Sequence, residues 1–236
     1  MPNKPNPLET HRNRLDLRSL LGYQNPRMEE YRLAVGDIKT QEYWPTTNPS
    51  FCDAEMTWLA KPENKRLLDL FRSKLNGIVV DLGSGTNSLG MNLDDLGIDY
   101  SEIIGVDPHR YNDYLNGEGT KEETRPIDPV TGEVLDQEQI LLKPKLHEVR
   151  EDALLFTARL KRQSVNFAIF GPTVMHYPWK ELMQEIVEAT KSDGIIFGGT
   201  KGIPDSKFET LAEDFPTQIR KVGKSNLGLY IFEKVK

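Results

Sequence analysis

The chain has 236 residues, a length that suits one α/β domain with additions or two small domains. With 30 basic and 36 acidic side chains its formal net charge is −6, which disfavours a nucleic-acid backbone as the main partner. The single cysteine excludes an intramolecular disulfide and a cysteine-based zinc site, and no segment has the apolar length of a membrane span.

Residues 1–65 are predicted to form an N-terminal arm and a helical cap. Residues 1 to about 20 are polar, with many Pro, Asn and Arg, and they contain no apolar core of a signal peptide. We therefore expect an extended arm on a cytoplasmic protein. Further along, apolar residues suggest two helical pieces that are broken near Pro62, with Gly77 ending the second piece.

From Gly77 onward, apolar runs and amphipathic segments alternate as strands and helices. Residues from about 112 to 145 interrupt this pattern; they are polar and turn-rich and are predicted to be a loop insertion. Alternation of this kind predicts a parallel sheet with right-handed crossovers. The predicted elements are a strand at 77–83, a helix at 88–98, a strand at 102–108, a short strand followed by an acid-containing turn within 146–156, a strand at 164–171, a helix at 178–194, a strand at 194–200, a helix at 205–215, and two terminal strands joined by a turn at 223–226.

The stretch VVDLGSGTNSLG, residues 79–90, reads as a buried strand that breaks into a glycine-rich turn and restarts as a helix. It lacks the Gly-Lys-Ser/Thr of a P-loop, and Ser88 stands where a dinucleotide fingerprint needs its third glycine. It is similar instead to the acid-x-Gly-x-Gly-x-Gly pattern of S-adenosylmethionine-dependent methyltransferases. Asp81, Gly83 and Gly85 match that pattern, and Asn87 replaces the third glycine. Asn tolerates positive φ and caps helices, so the turn can survive the change.

Four later features follow in the order of the same family. IIGVDP ends the second strand with Asp107, and REDALLF resembles the turn after the third strand. Residues 164–197 resemble the fourth strand, the following helix and the fifth strand, and the terminal strand pair suits a reversed last strand. From about Leu67 to Lys236 the sequence thus resembles the class I, Rossmann-like methyltransferases. The resemblance implies an α/β fold with a mostly parallel seven-stranded sheet, an antiparallel last strand and helices on both faces, formed by residues 66–236.

The resemblance also implies S-adenosyl-L-methionine as the cofactor and gives roles to the first two strand ends. Gly83 and Gly85 would let the backbone approach the ribose and methionine parts. Asp81 would order the turn, which includes Asn87, and reach the methionyl ammonium. Asp107 would accept hydrogen bonds from both ribose hydroxyls. The alternative for both acids is that they merely cap helices or turns.

Further along, the resemblance places the adenine and the methyl group. Asp152 would accept from the adenine amino group, although Glu151 beside it is an alternative, and the Ala153 N–H would face a ring nitrogen. Further predicted contacts are Pro108 with Leu154 or Leu155 around the ring, and Phe170 and Gly171 along the methionine and the methyl group. No metal site is expected, because the histidines show no metal-ligand spacing.

The acceptor side is less defined by the sequence. His176 is the near-neutral base of the loop after the fourth strand, so it is predicted as a general base, with a surface histidine as the alternative. Residues 25–60 are predicted to cover the mouth of the site near the methyl group. Five tyrosine and tryptophan side chains are candidate pocket walls or ordinary packing: Tyr43, Trp44, Tyr111, Tyr114 and Tyr177.

The acidic charge and the N-terminal extension favour a methyltransferase of a small-molecule acceptor. Two alternatives stay open. One is a methyltransferase that acts on a protein or an RNA, and the other is a non-catalytic domain that binds S-adenosyl-L-methionine or serves as a scaffold. The departure at Asn87 gives the last alternative some weight.

Overall fold

Seven strands form a single sheet in the computed structural model, which describes residues 17–36, 56–84, 89–107, 146–170, 174, 177–199, 203–225 and 228–235. The strands are β1 Ile78–Leu82, β2 Glu102–Asp107, β3 Leu146–Arg150, β4 Asn166–Ile169, β5 Ile195–Gly199, β6 Ile219–Lys224 and β7 Leu229–Lys234. The sheet order is β3-β2-β1-β4-β5-β7-β6, and β7 runs antiparallel to the other six strands. This confirms the predicted fold class.

Helices lie in the places predicted at 88–98, 178–194 and 205–215 and ahead of Gly77. Three further helices were not among the predicted elements: Leu17–Leu20, Met28–Gly36 and Ala153–Arg159. The helix predicted at 205–215 is split at Thr210, although the Thr210 N–H still donates to the Ser206 carbonyl at 3.2 Å. No helix among the described residues is long and apolar enough to cross a bilayer. The helices are α1 Leu17–Leu20, α2 Met28–Gly36, α3 Lys65–Lys74, α4 Leu89–Asp95, α5 Ala153–Arg159, α6 Trp179–Ala189, α7 Asp205–Glu209 and α8 Leu211–Asp214, with a 3₁₀ turn at Pro62–Asn64.

Both faces of the sheet are covered, because alternate residues of its central strands enter two different hydrophobic clusters. On β1, Val80 and Leu82 belong to the cluster under α5 and α6, whereas Val79 belongs to the cluster under α3 and α4. The apolar stripe predicted on α6 is buried in the first cluster. Its members are Trp179, Leu182, Met183, Ile186 and Val187.

The N-terminal segment is attached to the outer side of α5 and α6. Leu21 forms an antiparallel bridge with Leu160, which follows α5 at the edge of the sheet where β4 begins. On α2, the buried Tyr31 hydroxyl donates to the buried Glu185 carboxylate on α6 at 2.7 Å. Arg162 donates to the other oxygen of Glu185, also at 2.7 Å. Residues 37–55 of the predicted cap and the predicted insertion at 112–145 lie outside the described residues.

Candidate functional site

Two acids predicted for the cofactor lie side by side where β1 and β2 end. The strands are parallel, and Asp81 pairs in register with Gly105. Side chains alternate between the two faces of a sheet, so Asp107, two residues beyond Gly105, points to the same face as Asp81. The carboxyl ends of parallel strands meet at one edge, where open α/β sheets bind their ligands.

Burial of these acids makes the pair electrostatically unusual. Asp81 is 4% exposed and Asp107 is 6% exposed. Burial raises the pKa of Asp81 to about 7, and repulsion by Asp107 adds to the effect. Within the described residues, the buried Oδ1 of Asp81 has no hydrogen-bond partner. A buried carboxylate oxygen without a donor is costly, so this place favours a proton or a ligand that brings donors and positive charge.

The glycine turn is tied to the second of these strands. Gly83 has φ of 70°, a conformation that glycine adopts without a Cβ clash. Its N–H donates to the Val106 carbonyl at 2.8 Å, which holds the turn next to Asp107. The neighbouring Ser84 has a buried hydroxyl that also lacks a partner among the residues placed by the structure. Ser84 received no role from the sequence; its position between two glycines was the only signal for it.

A third acid lies beyond β3 and binds a tyrosine that the sequence did not assign to it. The Tyr177 hydroxyl donates to Oδ1 of Asp152 at 2.9 Å and accepts from the Ala153 N–H at 3.3 Å. Tyr177 is 5% exposed. Burial, and then the charge of Asp152, raise the pKa of Tyr177 well above its usual range; Asp107 adds a smaller effect. Tyr177 therefore stays protonated and lies within the field of both acids.

Glu151, the alternative to Asp152, is engaged elsewhere. Its carboxylate forms an ion pair with Arg159 on α5. Burial raises the pKa of Glu151, and the charge of Arg159 opposes that shift. Asp152 is thus the acid of this turn that accepts the hydrogen bond of Tyr177, while Glu151 pairs with Arg159 on the helix that follows it.

Of the remaining residues predicted to contact the cofactor, some belong to the hydrophobic core and others lie outside the part of the chain that the structure describes. Phe170 is buried, and its ring packs edge-on against Phe197 with centroids 5.8 Å apart, so its side chain belongs to the core. Leu154 is fully buried in the first cluster, whereas Leu155 is partly exposed. In the described part of the chain, no three potential metal ligands come together. Five predicted site residues lie outside the described residues: Gly85, Asn87, Pro108, Gly171 and His176.

The arrangement was compared with known proteins. No protein-family model and no curated protein matches the chain. Among solved structures, a proposed S-adenosyl-L-methionine-dependent methyltransferase from Methanococcus maripaludis superposes with a TM-score of 0.51 at 13% identity, over 80% of this chain and 88% of that chain.

Two further structures are more distant. Precorrin-6y C5,15-methyltransferase from Geobacter metallireducens has a TM-score of 0.44 at 14% identity, over 75% of this chain and 89% of its own. An rRNA methylase from Streptococcus thermophilus has a TM-score of 0.43 at 12% identity, over 75% and 98%. At such identities the likeness concerns the fold. The chain has the Rossmann-like fold of the class I methyltransferases.

Proposed function

We propose that the chain binds S-adenosyl-L-methionine at the carboxyl ends of β1, β2 and β3 and transfers its methyl group to a small-molecule acceptor. The observation that carries the proposal is the buried pair Asp81 and Asp107 beside the turn at Gly83. The cofactor carries an ammonium and a sulfonium charge and several hydroxyl and amino donors. It therefore supplies the positive charge and the hydrogen-bond donors that stabilise two adjacent buried carboxylates.

The residues of the site suit the parts of this cofactor. Asp107 offers two carboxylate oxygens for the two ribose hydroxyls. Asp81, whose Oδ1 has no hydrogen-bond partner among the described residues, would face the methionyl ammonium directly or through water, and the Ser84 hydroxyl adds a second polar atom in the same turn. Asp152 and the Ala153 N–H would bind the adenine edge. When bound, the cofactor supplies an electrophilic methyl group.

The work left to the chain is binding, orientation and the exclusion of water. Methyl transfer is an in-line displacement, so the acceptor atom must lie on the axis of the methyl–sulfur bond. His176 remains the proposed base for an acceptor that has to lose a proton. An acceptor that is already a good nucleophile would need positioning alone.

The acidic balance of the chain supports a small acceptor rather than a nucleic acid, because a net charge of −6 repels a phosphate backbone. A screen with methyl-labelled cofactor tests this directly. Small metabolites, total RNA and total protein are offered separately to the purified chain. Label that enters only RNA or only protein would contradict a small-molecule acceptor while leaving the cofactor assignment intact.

Calorimetric titration with S-adenosyl-L-methionine and S-adenosyl-L-homocysteine tests the cofactor assignment. Asp107→Ala should weaken binding by about 1.5–3 kcal/mol, the net contribution of hydrogen bonds to a charged group. Asp214→Ala is the matched control, since Asp214 is an exposed acid at the end of α8, ahead of β6 and hence near the opposite edge of the sheet. It should bind like the parent. Absence of binding by the parent would overturn the assignment, and unchanged affinity in Asp107→Ala would remove Asp107 from the site.

A further inference from the structure

The Tyr177 hydroxyl forms hydrogen bonds with the two groups that the proposed function assigns to adenine binding, the Asp152 carboxylate and the Ala153 N–H. It lies two residues ahead of α6 and bridges the Asp152 carboxylate, at 2.9 Å, and the Ala153 N–H, at 3.3 Å. The side chain is almost wholly buried, so this is not a surface side chain that happens to touch a loop. Its bonds satisfy both groups in the protein without any ligand.

The hydroxyl reproduces the hydrogen-bonding pattern of adenine. One edge of adenine presents an amino donor next to a ring-nitrogen acceptor. A tyrosine hydroxyl carries one donor and acceptor lone pairs on a single atom. Tyr177 donates a hydrogen bond to the Asp152 carboxylate and accepts one from the Ala153 N–H. The adenine edge would make the same two hydrogen bonds, one donated and one accepted. A single N–H cannot make full hydrogen bonds to both acceptors at once.

We propose that Tyr177 competes with the adenine of the cofactor for Asp152 and Ala153, so that its hydroxyl must leave this position before adenine can bind there. The inference rests on the proposed function. Competition of this kind makes the apparent affinity equal to the intrinsic affinity multiplied by the fraction of molecules in which the position is free. It also gives the half-buried Asp152 carboxylate and the buried Ala153 N–H a hydrogen-bond partner when no ligand is bound.

A positioning role is the rival explanation, and it predicts the opposite effect of losing the Tyr177 hydroxyl on cofactor affinity. In that case Tyr177 would orient the Asp152 carboxylate towards the adenine amino group, and its loss would weaken binding. The hydrogen bond from the Ala153 N–H to Tyr177 argues for competition, because a purely orienting hydroxyl would need only the carboxylate.

The test is calorimetric titration of two ligands into the parent, Tyr177→Phe and Tyr31→Phe. The ligands are S-adenosyl-L-homocysteine and its hypoxanthine analogue, whose carbonyl and ring N–H reverse the donor and acceptor of the adenine edge. Tyr31→Phe is the matched control, because it also removes a buried hydroxyl that donates to a carboxylate, at 2.7 Å, but on the outer side of α5 and α6. Thermal melts of all three proteins verify that they fold.

Tyr177→Phe should bind S-adenosyl-L-homocysteine about tenfold more tightly than the parent, which corresponds to about 1.4 kcal/mol. The hypoxanthine analogue should gain nothing, and Tyr31→Phe should match the parent with both ligands. Binding by the parent with equal or weaker binding by Tyr177→Phe would overturn the competition and leave the cofactor assignment standing. An equal gain for both ligands would show relief of crowding instead and would also overturn it. If neither the parent nor Tyr177→Phe binds, the proposed function itself fails.

A structure of the parent with S-adenosyl-L-homocysteine gives a readout that does not depend on any variant. The Tyr177 hydroxyl should then be out of hydrogen-bond reach of the Ala153 N–H. A hydroxyl that still bridges Asp152 and Ala153 beside the bound adenine would refute the inference.

Discussion

Replacing Asp81 by asparagine should increase the free energy of unfolding relative to the parent, and the increase should be larger at neutral pH than at acidic pH. The folded protein raises the pKa of this carboxyl from 3.8 to about 7, first through burial and then through Asp107. Well below pH 3.8 the group is protonated in both the folded and the unfolded chain, so the difference in pKa does not change the free energy of unfolding. Between pH 4 and 7 the unfolded chain loses this proton while the folded chain keeps it, so the free energy of unfolding falls as the pH rises. Above pH 7 the loss is complete.

The magnitude follows from the shift. Each pKa unit corresponds to about 1.4 kcal/mol, so ionised Asp81 destabilises the folded protein by roughly 4 kcal/mol. Urea unfolding of the parent and Asp81→Asn at pH 4 and pH 8 measures this. The stability difference between the two proteins should change by up to that amount in favour of the variant. Asp214→Asn, which alters an exposed acid, serves as the control and should follow the parent at both pH values. A difference between Asp81→Asn and the parent that is the same at both pH values would refute the reasoning.

Two further predictions use other features of the fold. Binding of S-adenosyl-L-methionine at pH 7 should release up to about half a proton, because the ligand's positive charge favours ionised Asp81, whose pKa of about 7 leaves half of these groups protonated beforehand. Calorimetry in two buffers with different ionisation enthalpies measures the release, and a value of zero would contradict the pairing. Gly198→Ala should lower the free energy of unfolding by about 3 kcal/mol, because the new Cβ would lie 2.3 Å from the Ile169 carbonyl oxygen on β4. Gly36→Ala, whose Cβ meets nothing within 4 Å, is the control for urea unfolding, and equal losses in both variants would contradict this packing argument.

The sheet could be predicted because its strands are local patterns with ordered motifs between them. Val79 and Val80 lead into the glycine turn, and the apolar stripe of α6 has clear helical spacing, so neither needed knowledge of distant contacts. Helix α2 was not predicted. It buries only Tyr31 and Val35, while Leu33 is 67% exposed, so it lacks a clean apolar stripe, and a hydrogen bond to Glu185 anchors it instead.

The site could be predicted only as far as its backbone positions. Asp81, Asp107 and Asp152 lie at strand ends, which a motif can locate. The raised pKa of Asp81 depends on how deeply neighbouring elements bury it, and no spacing encodes that depth. The partner of Asp152 is Tyr177, 25 residues away, and the two meet because the helices that follow them, α5 and α6, pack side by side on one face of the sheet.

The attachment of α2 to α6 has a consequence for synthesis on the ribosome. Tyr31 and Glu185, which form the bond, are 154 residues apart in the chain. At typical elongation rates, Glu185 is made roughly 8 to 30 s after Tyr31. During most of that interval the docking surface of α2 is incomplete, because α5 ends only at Arg159 and α6 contains Glu185 itself. Helix α2 is thus made well before the two helices that it packs against, and it can reach its final place only after β4 has been made.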